Sequence, residues 1–317
     1  MEASVHRPKW KTVLAFAIIY LVWGSTFLAI RVGVHEVPPL LLAALRFAIA
    51  GVALYLWTTI AGEPQPSGRQ WASILLLAVL IFLVDYGLLF WAEQRVPSGI
   101  AAVMMATIPV FTALSEITIL RTQKLTIRLT LALLIGLAGV AVLVSRSLNL
   151  GSAPIDRIGA MALITGAVTW SLASILMRKL PLPKSKVMSS GAQMLVGGIL
   201  LALTSAALGE FGNFHPLAVS GKAWFSLFYL IVAGSIVGFT AYLWLIHHES
   251  PTKVGTYAYV NPVVAVLLGY FVGGEALDRR TVLGTLCVLI SVIVITTARA
   301  KKPTPVVTLR EPATAQD

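Results

Sequence analysis

Long apolar stretches alternate with short polar segments along the whole chain. A membrane-crossing helix needs about 20 mainly apolar residues, and ten stretches come close to this length. They cover residues 12–30, 40–61, 71–92, 99–120, 129–145, 158–177, 187–208, 223–246, 254–274 and 281–298. Most of the polar segments between them contain proline or glycine. Each segment is too short for a folded soluble domain. The pattern therefore predicts an all-α integral membrane protein with ten transmembrane helices.

Composition agrees with this pattern. The chain has 317 residues, of which 57% are hydrophobic and 12% charged, and its mean hydropathy is +0.86. Soluble domains carry about 25% charged residues. The first apolar stretch, 12–30, has no convincing small-residue cleavage site, so we interpret it as a retained first helix and not as a removed signal peptide.

Two sequence patterns occur once in each half of the chain. The pattern from Trp23 to Arg31 returns 147 positions later, and the pattern from Trp91 to Pro109 returns 153 positions later. Five spans precede and five follow a break near residues 147–157. Because each half has an odd number of spans, the second half should enter the membrane inverted relative to the first.

These observations predict four parts of the chain. They are a cytoplasmic N-terminal segment at 1–11, a first five-helix repeat at 12–146, an inverted second repeat at 157–298 and a disordered cytoplasmic tail at 299–317.

Lysine and arginine placement predicts the orientation in the membrane. With the N-terminus inside, 16 of these residues fall in inner segments and 7 in outer ones. Inner segments normally hold the excess, so both termini should be cytoplasmic. The net charge of +11 does not indicate a nucleic-acid partner, because no basic helix or basic–aromatic stripe accompanies it. The lone Cys287 suggests neither an intramolecular disulfide nor a cysteine metal site.

Four segments carry a resemblance to a known family. WGSTFLAIRVG, PPLLLAALRF, AEQRVPSGIAAVMMATIPVFTAL and YAYVNPVVAVLLGYFVGGE occur in this order. Together they resemble the EamA-type ten-helix members of the drug/metabolite transporter superfamily. The resemblance implies efflux of small metabolites, often amino acids, across a bacterial inner membrane, driven by gradients and not by nucleotide. It does not specify the substrate.

Ionisable residues inside the spans are the first candidates for transport. Arg46 in the second span and Asp85 in the third should lie about 10 Å below the same surface, at 1.5 Å per residue. Such residues are costly in a membrane and often functional. The two side chains could meet, either as a switchable pair that binds a substrate carboxylate or relays a proton, or as a static ion pair between helices.

The repeat adds three further candidates. Gln193 is the counterpart of Arg46, 147 positions later, and it either lines a central cavity or forms a helix–helix hydrogen bond. Trp23 and Trp170 lie inside spans and not at the interfaces where tryptophan collects. They are interpreted as cavity walls or as packing and lipid-facing residues.

Span nine contains a polar face next to a proline. Tyr257 and Asn261 are four residues apart and share one helix face. Pro262 and its counterpart Pro109 are candidate hinges, because proline removes a backbone donor. Both residue sets also admit a purely structural interpretation.

The remaining polar residues are given local structural roles. Glu116 should pair with Arg121, and Glu93 and Glu275 should face water at outer helix ends. The His247–Glu249 run does not converge as metal ligands on a helix, so no metal site is predicted. Gly234 and Gly238 have the spacing of a packing motif, which leaves a homodimer as an option.

No nucleotide-binding or hydrolase motif occurs in the chain. The function predicted is secondary active export of small metabolites, with amino acids leading, aromatic or neutral ones among them, and amphipathic drugs as the runner-up. A membrane-embedded enzyme and a scaffold subunit are the alternatives from other classes. The predicted partners are a small-molecule substrate, the lipid bilayer and a coupling proton, with no cofactor.

Overall fold

The computed structural model describes residues 9–95, 101, 104–144, 156–273 and 279–297, and these ranges contain helices and no strand. The longer helices in them are α1 (Lys9–Val34), α2 (Pro39–Ile60), α3 (Gly68–Ala92), α4 (Ile108–Leu120), α5 (Ile127–Val144), α6 (Arg157–Leu176), α7 (Lys186–Ala207), α8 (Gly221–His248), α9 (Tyr257–Gly273) and α10 (Arg279–Thr297). Short helical turns cover Glu210–Asn213, Pro216–Ala218 and Pro251–Val254.

Six of these helices are long and apolar enough to cross a membrane, namely α1, α2, α3, α6, α7 and α8. Their outer surfaces carry large exposed apolar side chains such as Trp57, Leu203 and Phe225. Exposed apolar surface of this extent marks contact with lipid or protein. The ten-span topology and the cytoplasmic termini stay predictions, and the segments 1–8 and 299–317 lie outside the described residues.

Local sequence signals start the helices close to the predicted positions. Ser67 and Gln70 form a reciprocal capping box at α3, and Asp156 and Ser185 cap α6 and α7. The predicted ninth span differs, because Ser250 caps the separate turn Pro251–Val254 and α9 begins only at Tyr257.

The two halves pack with internal symmetry. Helix α2 packs against its counterpart α7, and α5 packs against its counterpart α10. The contact between α1 and α9 is matched by one between α6 and α4, and the contact between α1 and α8 by one between α6 and α3. Each of these contacts is paired with its equivalent, which is the arrangement of two related repeats around a pseudo-two-fold axis.

The crossing of α2 and α7 shows the repeat at the level of single residues. A Cβ atom on Gly51 would lie 2.2 Å from the Leu195 nitrogen, and one on Gly198 would lie 2.4 Å from the Ala48 nitrogen. Adding 147 to positions 48 and 51 gives 195 and 198. The Gly51–Leu195 contact of one repeat is therefore equivalent to the Gly198–Ala48 contact of the other. The helices run antiparallel, as an inverted repeat requires.

Helices α3 and α8 each contain a π-helical segment of 8 residues. The segments are Val79–Tyr86 in α3 and Leu230–Val237 in α8. They lie 151 positions apart and therefore match within the repeat. A π-helical segment rotates the following side chains, and such segments are frequent at functional sites.

Loops from both halves meet at the two ends of the bundle. End A holds residues 61–67, 121–126, 177–185 and 249–256, and end B holds residues 35–38, 93–95 and 208–220. At end B the Ser220 hydroxyl and backbone N–H donate to the Glu36 carboxylate, and the Leu41 N–H donates to Glu210 Oε2 at 2.9 Å.

Candidate functional site

A cavity lies between the two repeats in the middle of the bundle. Its lining residues are Trp23, Thr26, Phe27, Ile30, Asp85, Tyr86, Leu89, Met105, Trp170, Tyr257 and Asn261. About 40 Å³ of it is accessible to water, which is space for a few water molecules. A metabolite can therefore enter only if the surrounding side chains separate.

The two tryptophans related by the repeat are in contact at the cavity. The ring centroids of Trp23 and Trp170 are 5.6 Å apart, with an interplanar angle of 80°. Trp23 Nε1 donates to the Gly234 carbonyl at 3.0 Å. Both residues are buried, so the structure places them in the cavity wall and away from lipid.

Tyrosines extend this pair into an aromatic cluster. The Tyr257 ring lies 4.9 Å from that of Trp23, and the Tyr242 ring 5.0 Å from that of Trp170. The Tyr86 ring lies 5.8 Å from that of Trp170. Edge-to-face ring pairs contribute about 0.5–1.5 kcal/mol beyond their buried area. The cluster joins α1, α3, α6, α8 and α9 and therefore closes the cavity from both repeats.

Asp85 contributes a carboxyl group to the residues that line the cavity. It lies in the π-helical segment of α3, is 2% exposed, and has no hydrogen-bond partner on Oδ1. A Cβ atom on Gly166 of α6 would come within 2.8 Å of this oxygen. The glycine therefore leaves the room that the carboxylate occupies.

Arg46 does not pair with Asp85, contrary to the contact considered from the sequence. Its Nε donates to Ser235 Oγ at 2.8 Å. Its guanidinium carbon lies 4.6 Å from the Phe47 ring centroid and 5.2 Å from that of Tyr86. Hydrogen bonding and cation–π contact hold it there, and it lies outside the cavity lining.

Gln193 also lies outside the cavity lining, although one interpretation placed it there. It is fully buried in α7, where Nε2 donates to Ser189 Oγ at 3.0 Å and Oε1 has no partner. The Ser189 bond is within one helix, so neither of the two interpretations of Gln193 describes its observed contact.

Tyr257 and Asn261 share a helix face, and both line the cavity. Asn261 is 5% exposed, and its Oδ1 has no hydrogen-bond partner. Pro262 follows inside α9, whereas Pro109 stands in the first turn of α4. The turn at residues 106–107 separates helical residues 104–105 from α4, so Pro109 follows a break in the predicted fourth span. The hinge roles of Pro109 and Pro262 stay predictions.

Side chains of other helices pack directly against Gly234 and Gly238. A Cβ atom on Gly234 would lie 3.0 Å from Arg46 Nη2, and one on Gly238 would lie 2.5 Å from Trp23 Nε1. Both positions face the interior and are therefore not available to a dimer interface. The homodimer stays a prediction, and the Gly234/Gly238 motif does not support it.

Glu116 joins the two repeats at end A and does not pair with Arg121 as expected. Its Oε2 accepts from the Thr252 N–H at 3.0 Å and from Thr252 Oγ1 at 2.6 Å, and Oε1 accepts from Thr122 Oγ1 at 3.1 Å. A buried carboxylate at a helix N-terminus is stabilised by such donors. The Lys179 ammonium donates to the Ile119 carbonyl at 2.9 Å nearby.

Glu93 is buried at end B, although the sequence indicated that it faces water. It is 8% exposed, and neither carboxylate oxygen has a hydrogen-bond partner. Burial raises the pKa of Glu93 to about 8, against the opposing effect of the Arg31 charge. The expectation for Glu275 lies outside the described residues.

The histidines at the end of α8 have backbone partners. Nδ1 of His247 and of His248 contacts the carbonyl oxygen four residues earlier, at 2.8 and 2.6 Å. Within the ranges that the structure describes, no group of three or more possible metal ligands occurs.

Three site residues were not found from the sequence. Tyr86 lines the cavity beside Asp85, Ser235 binds Arg46, and Tyr242 packs on both tryptophans. Ser235 lies between Gly234 and Gly238, so the small-residue motif marked its position. For Tyr242 no sequence signal separated it from other aromatic residues in spans.

Known proteins are similar to this chain in sequence and in fold. The sequence profile of the EamA-like transporter family matches residues 10–145 and again 157–297. The uncharacterized inner membrane transporter YedA of Escherichia coli (strain K12) is 37% identical over 284 residues, which cover 89% of each chain. The uncharacterized transporter YoaV of Bacillus subtilis (strain 168) is 25% identical over 88% of this chain and 94% of its own.

One solved crystal structure has the same fold. It superposes with a TM-score of 0.72 at 23% sequence identity and covers 90% of this chain and 97% of its own.

Proposed function

The chain belongs to the EamA-like transporter family, and we propose that it exports small organic metabolites, with amino acids as the leading class. It acts as a secondary active transporter in a bacterial inner membrane, the location in the name of the Escherichia coli relative. The family membership makes it a membrane transporter, and the substrate and direction are the proposed part.

The single observation that carries the proposal is the cavity shared by the two repeats. Trp23 and Trp170 meet there as equivalent residues, and Asp85 and Asn261 supply polar groups beside them. Transporters built from inverted repeats bind substrates near the midplane between the repeats. The aromatic rings can pack against an apolar side chain of an amino acid, and the side-chain oxygens of Asp85 and Asn261 can accept hydrogen bonds from its amino group.

The proposed mechanism is rocking of repeat 12–146 against repeat 157–298, with both termini cytoplasmic. End A is then the inner end, and the cavity extends toward end B through Ile30 and Leu89. The Glu116 contacts join the repeats at end A. In this mechanism the described conformation is the one closed to the cytoplasm, and Asp85 carries the coupling proton.

Helices α5 and α10 are proposed as peripheral braces. They pack on one another, and the described cavity lining contains residues from neither. They therefore serve to hold the repeats together while the cavity-lining helices move.

Counterflow in liposomes tests the function. Purified protein in liposomes preloaded with unlabelled amino acids should accumulate the labelled amino acid transiently and saturably without nucleotide. Amphipathic drugs form a second arm, because aromatic cavities also accept them. Equal movement in protein-free liposomes across both panels would exclude the transporter proposed here, whereas movement of drugs alone would favour the runner-up.

A further inference from the structure

Two residues that line the same cavity, Asp85 and Asn261, each have a buried acceptor oxygen without a donor. Asp85 Oδ1 and Asn261 Oδ1 have no hydrogen-bond partner, and their residues are 2% and 5% exposed. A buried acceptor left unpaired costs about 1–3 kcal/mol. Native structures rarely tolerate this without a reason, and a ligand with N–H donors supplies the missing partners.

Aromatic rings line the same cavity. Trp23, Trp170, Tyr86 and Tyr257 line the cavity together with Asp85. Tryptophan and tyrosine faces attract ammonium groups within about 6 Å of the ring centroid. Rings and carboxylate therefore favour the same ligand group, one that is positively charged and carries N–H donors.

No positively charged side chain belongs to the described cavity lining. Arg46 lies outside this lining and is 1% exposed. Its guanidinium contacts Ser235, Phe47 and Tyr86, and its Nη1 has no hydrogen-bond partner. The missing side chain of Gly234 leaves room for Arg46 Nη2, which lies 3.0 Å from where a Cβ atom would stand. A substrate carboxylate in the cavity would meet Asp85 and rings, and like charges placed together select against a ligand.

We infer that the cavity recognises its substrate through the protonated amino group and does not require a carboxylate. The substrate class is then small amines with an apolar body, including amides and esters of amino acids and their decarboxylated amines. This inference rests on the proposed function, since it concerns the ligand of the same cavity.

Binding of four related compounds tests the inference. Phenylalanine, phenylalaninamide, phenethylamine and 3-phenylpropionate are titrated by calorimetry into the full-length protein in lipid nanodiscs. Phenylalaninamide and phenethylamine should bind at least as tightly as phenylalanine. 3-Phenylpropionate should bind at least about tenfold more weakly than phenylalanine. It lacks the amino group of phenylalanine and keeps the carboxylate, which Asp85 repels.

Variants connect the effect to Asp85. Asp85→Asn should weaken phenethylamine binding by about tenfold or more, since it removes the charge and keeps the shape. Gly166→Ala is a second variant that crowds Oδ1 without changing the charge, and it should weaken the same ligand. Ser73→Ala is the control, because Ser73 is buried in α3 outside the described lining and its hydroxyl donates to the Arg69 carbonyl of the same helix.

Three outcomes overturn the inference. They are binding of 3-phenylpropionate as tight as that of phenylalanine, an amine affinity about tenfold or more below that of phenylalanine, and failure of all four compounds to bind while counterflow of another metabolite proceeds. In each case the transporter proposal still stands. It fails separately, when no metabolite or drug shows counterflow at all.

Discussion

The buried polar side chains of this protein differ in whether they have hydrogen-bond partners. Asp85, Asn261, Glu93 and Glu116 are all at most 8% exposed. Glu116 has three donors, whereas Asp85 Oδ1, Asn261 Oδ1 and both Glu93 oxygens have none. An unpaired buried acceptor is costly. Gln193 Oε1 is also unpaired but lies outside the cavity lining, so we connect a missing partner with a ligand only for Asp85 and Asn261, which line the cavity.

Glu93 should make the protein less stable as the pH rises. Its pKa in the folded state is about 8, above its ordinary value of 4.5. Between these pH values the folded state keeps a proton that the unfolded state has lost, so the free energy of unfolding falls with rising pH. Glu93→Gln should flatten this dependence and raise the thermal midpoint in detergent at pH 9.

The matched control for Glu93 is Glu63→Gln, because Glu63 is exposed at the opposite end of the bundle. It should retain the wild-type dependence on pH. A wild-type thermal midpoint that is constant from pH 5 to pH 9 would show that Glu93 is solvated in the membrane protein.

Single residues could be predicted only in part. The repeat identified Trp23 and Trp170, and the four-residue spacing placed Tyr257 and Asn261 on one face. The position of Arg46 was wrong relative to Asp85, because depth along a helix does not say around which side a long side chain turns. Its partner Ser235 belongs to α8. The depths of Arg46 in α2 and Asp85 in α3 carry no information about this third helix.

At the scale of the helices, the α2–α7 crossing is the tightest inter-repeat contact described. Gly51→Ala and Gly198→Ala should each destabilise the protein by about 1–3 kcal/mol, since the new methyl would meet backbone and not a movable side chain. Because the two sites are equivalent within the repeat, their effects should be similar. Thermal unfolding in detergent measures both.

Gly221→Ala is the control for the crossing, since nothing lies within 4 Å of a Cβ atom there. It should leave the thermal midpoint unchanged within error. Wild-type stability of both crossing variants would mean that α2 and α7 are farther apart in the membrane than described.

Glu116 should hold the repeats together at end A. Glu116→Gln removes the charge that accepts from Thr252 and Thr122, and hydrogen bonds to charged groups contribute about 1.5–3 kcal/mol. Spin labels at Leu125 and Lys184, in a Cys287→Ala background, should report a larger fraction of long distances in this variant. An unchanged distance distribution would reduce Glu116 to a local cap.

Helix boundaries were largely predictable, because serine and aspartate caps and proline mark them in the sequence. The π-helical segments in α3 and α8 were not. A π-helical turn depends on packing against other helices, and hydrophobic periodicity averaged over a span does not report it. Its consequence is large, since the segment in α3 places Asp85 and Tyr86 at the cavity.

For the whole molecule, the sequence predicted the architecture better than the chemistry. Duplication, helix content and family followed from apolar length and repeated motifs, and the family match over 10–145 and 157–297 confirms the resemblance. The substrate could not follow from these features, because an apolar span has the same composition whatever it transports. The described cavity adds chemical detail, because its lining combines aromatic rings with two residues whose Oδ1 atoms have no hydrogen-bond partner.

The central claim is that the two repeats move against each other to expose one cavity in turn to each side. Ile119→Cys and Lys179→Cys place one thiol in each repeat at end A, where the native side chain of Lys179 contacts Ile119. Counterflow is measured in liposomes in a Cys287→Ala background, before and after a reversible thiol cross-linker. Thr59→Cys with Gln65→Cys is the control, because both lie in the first repeat and are in contact at the same end. Alternating access predicts that the inter-repeat cross-link stops counterflow, that reduction restores it and that the control pair has no effect. Full counterflow with the inter-repeat pair cross-linked would contradict the account.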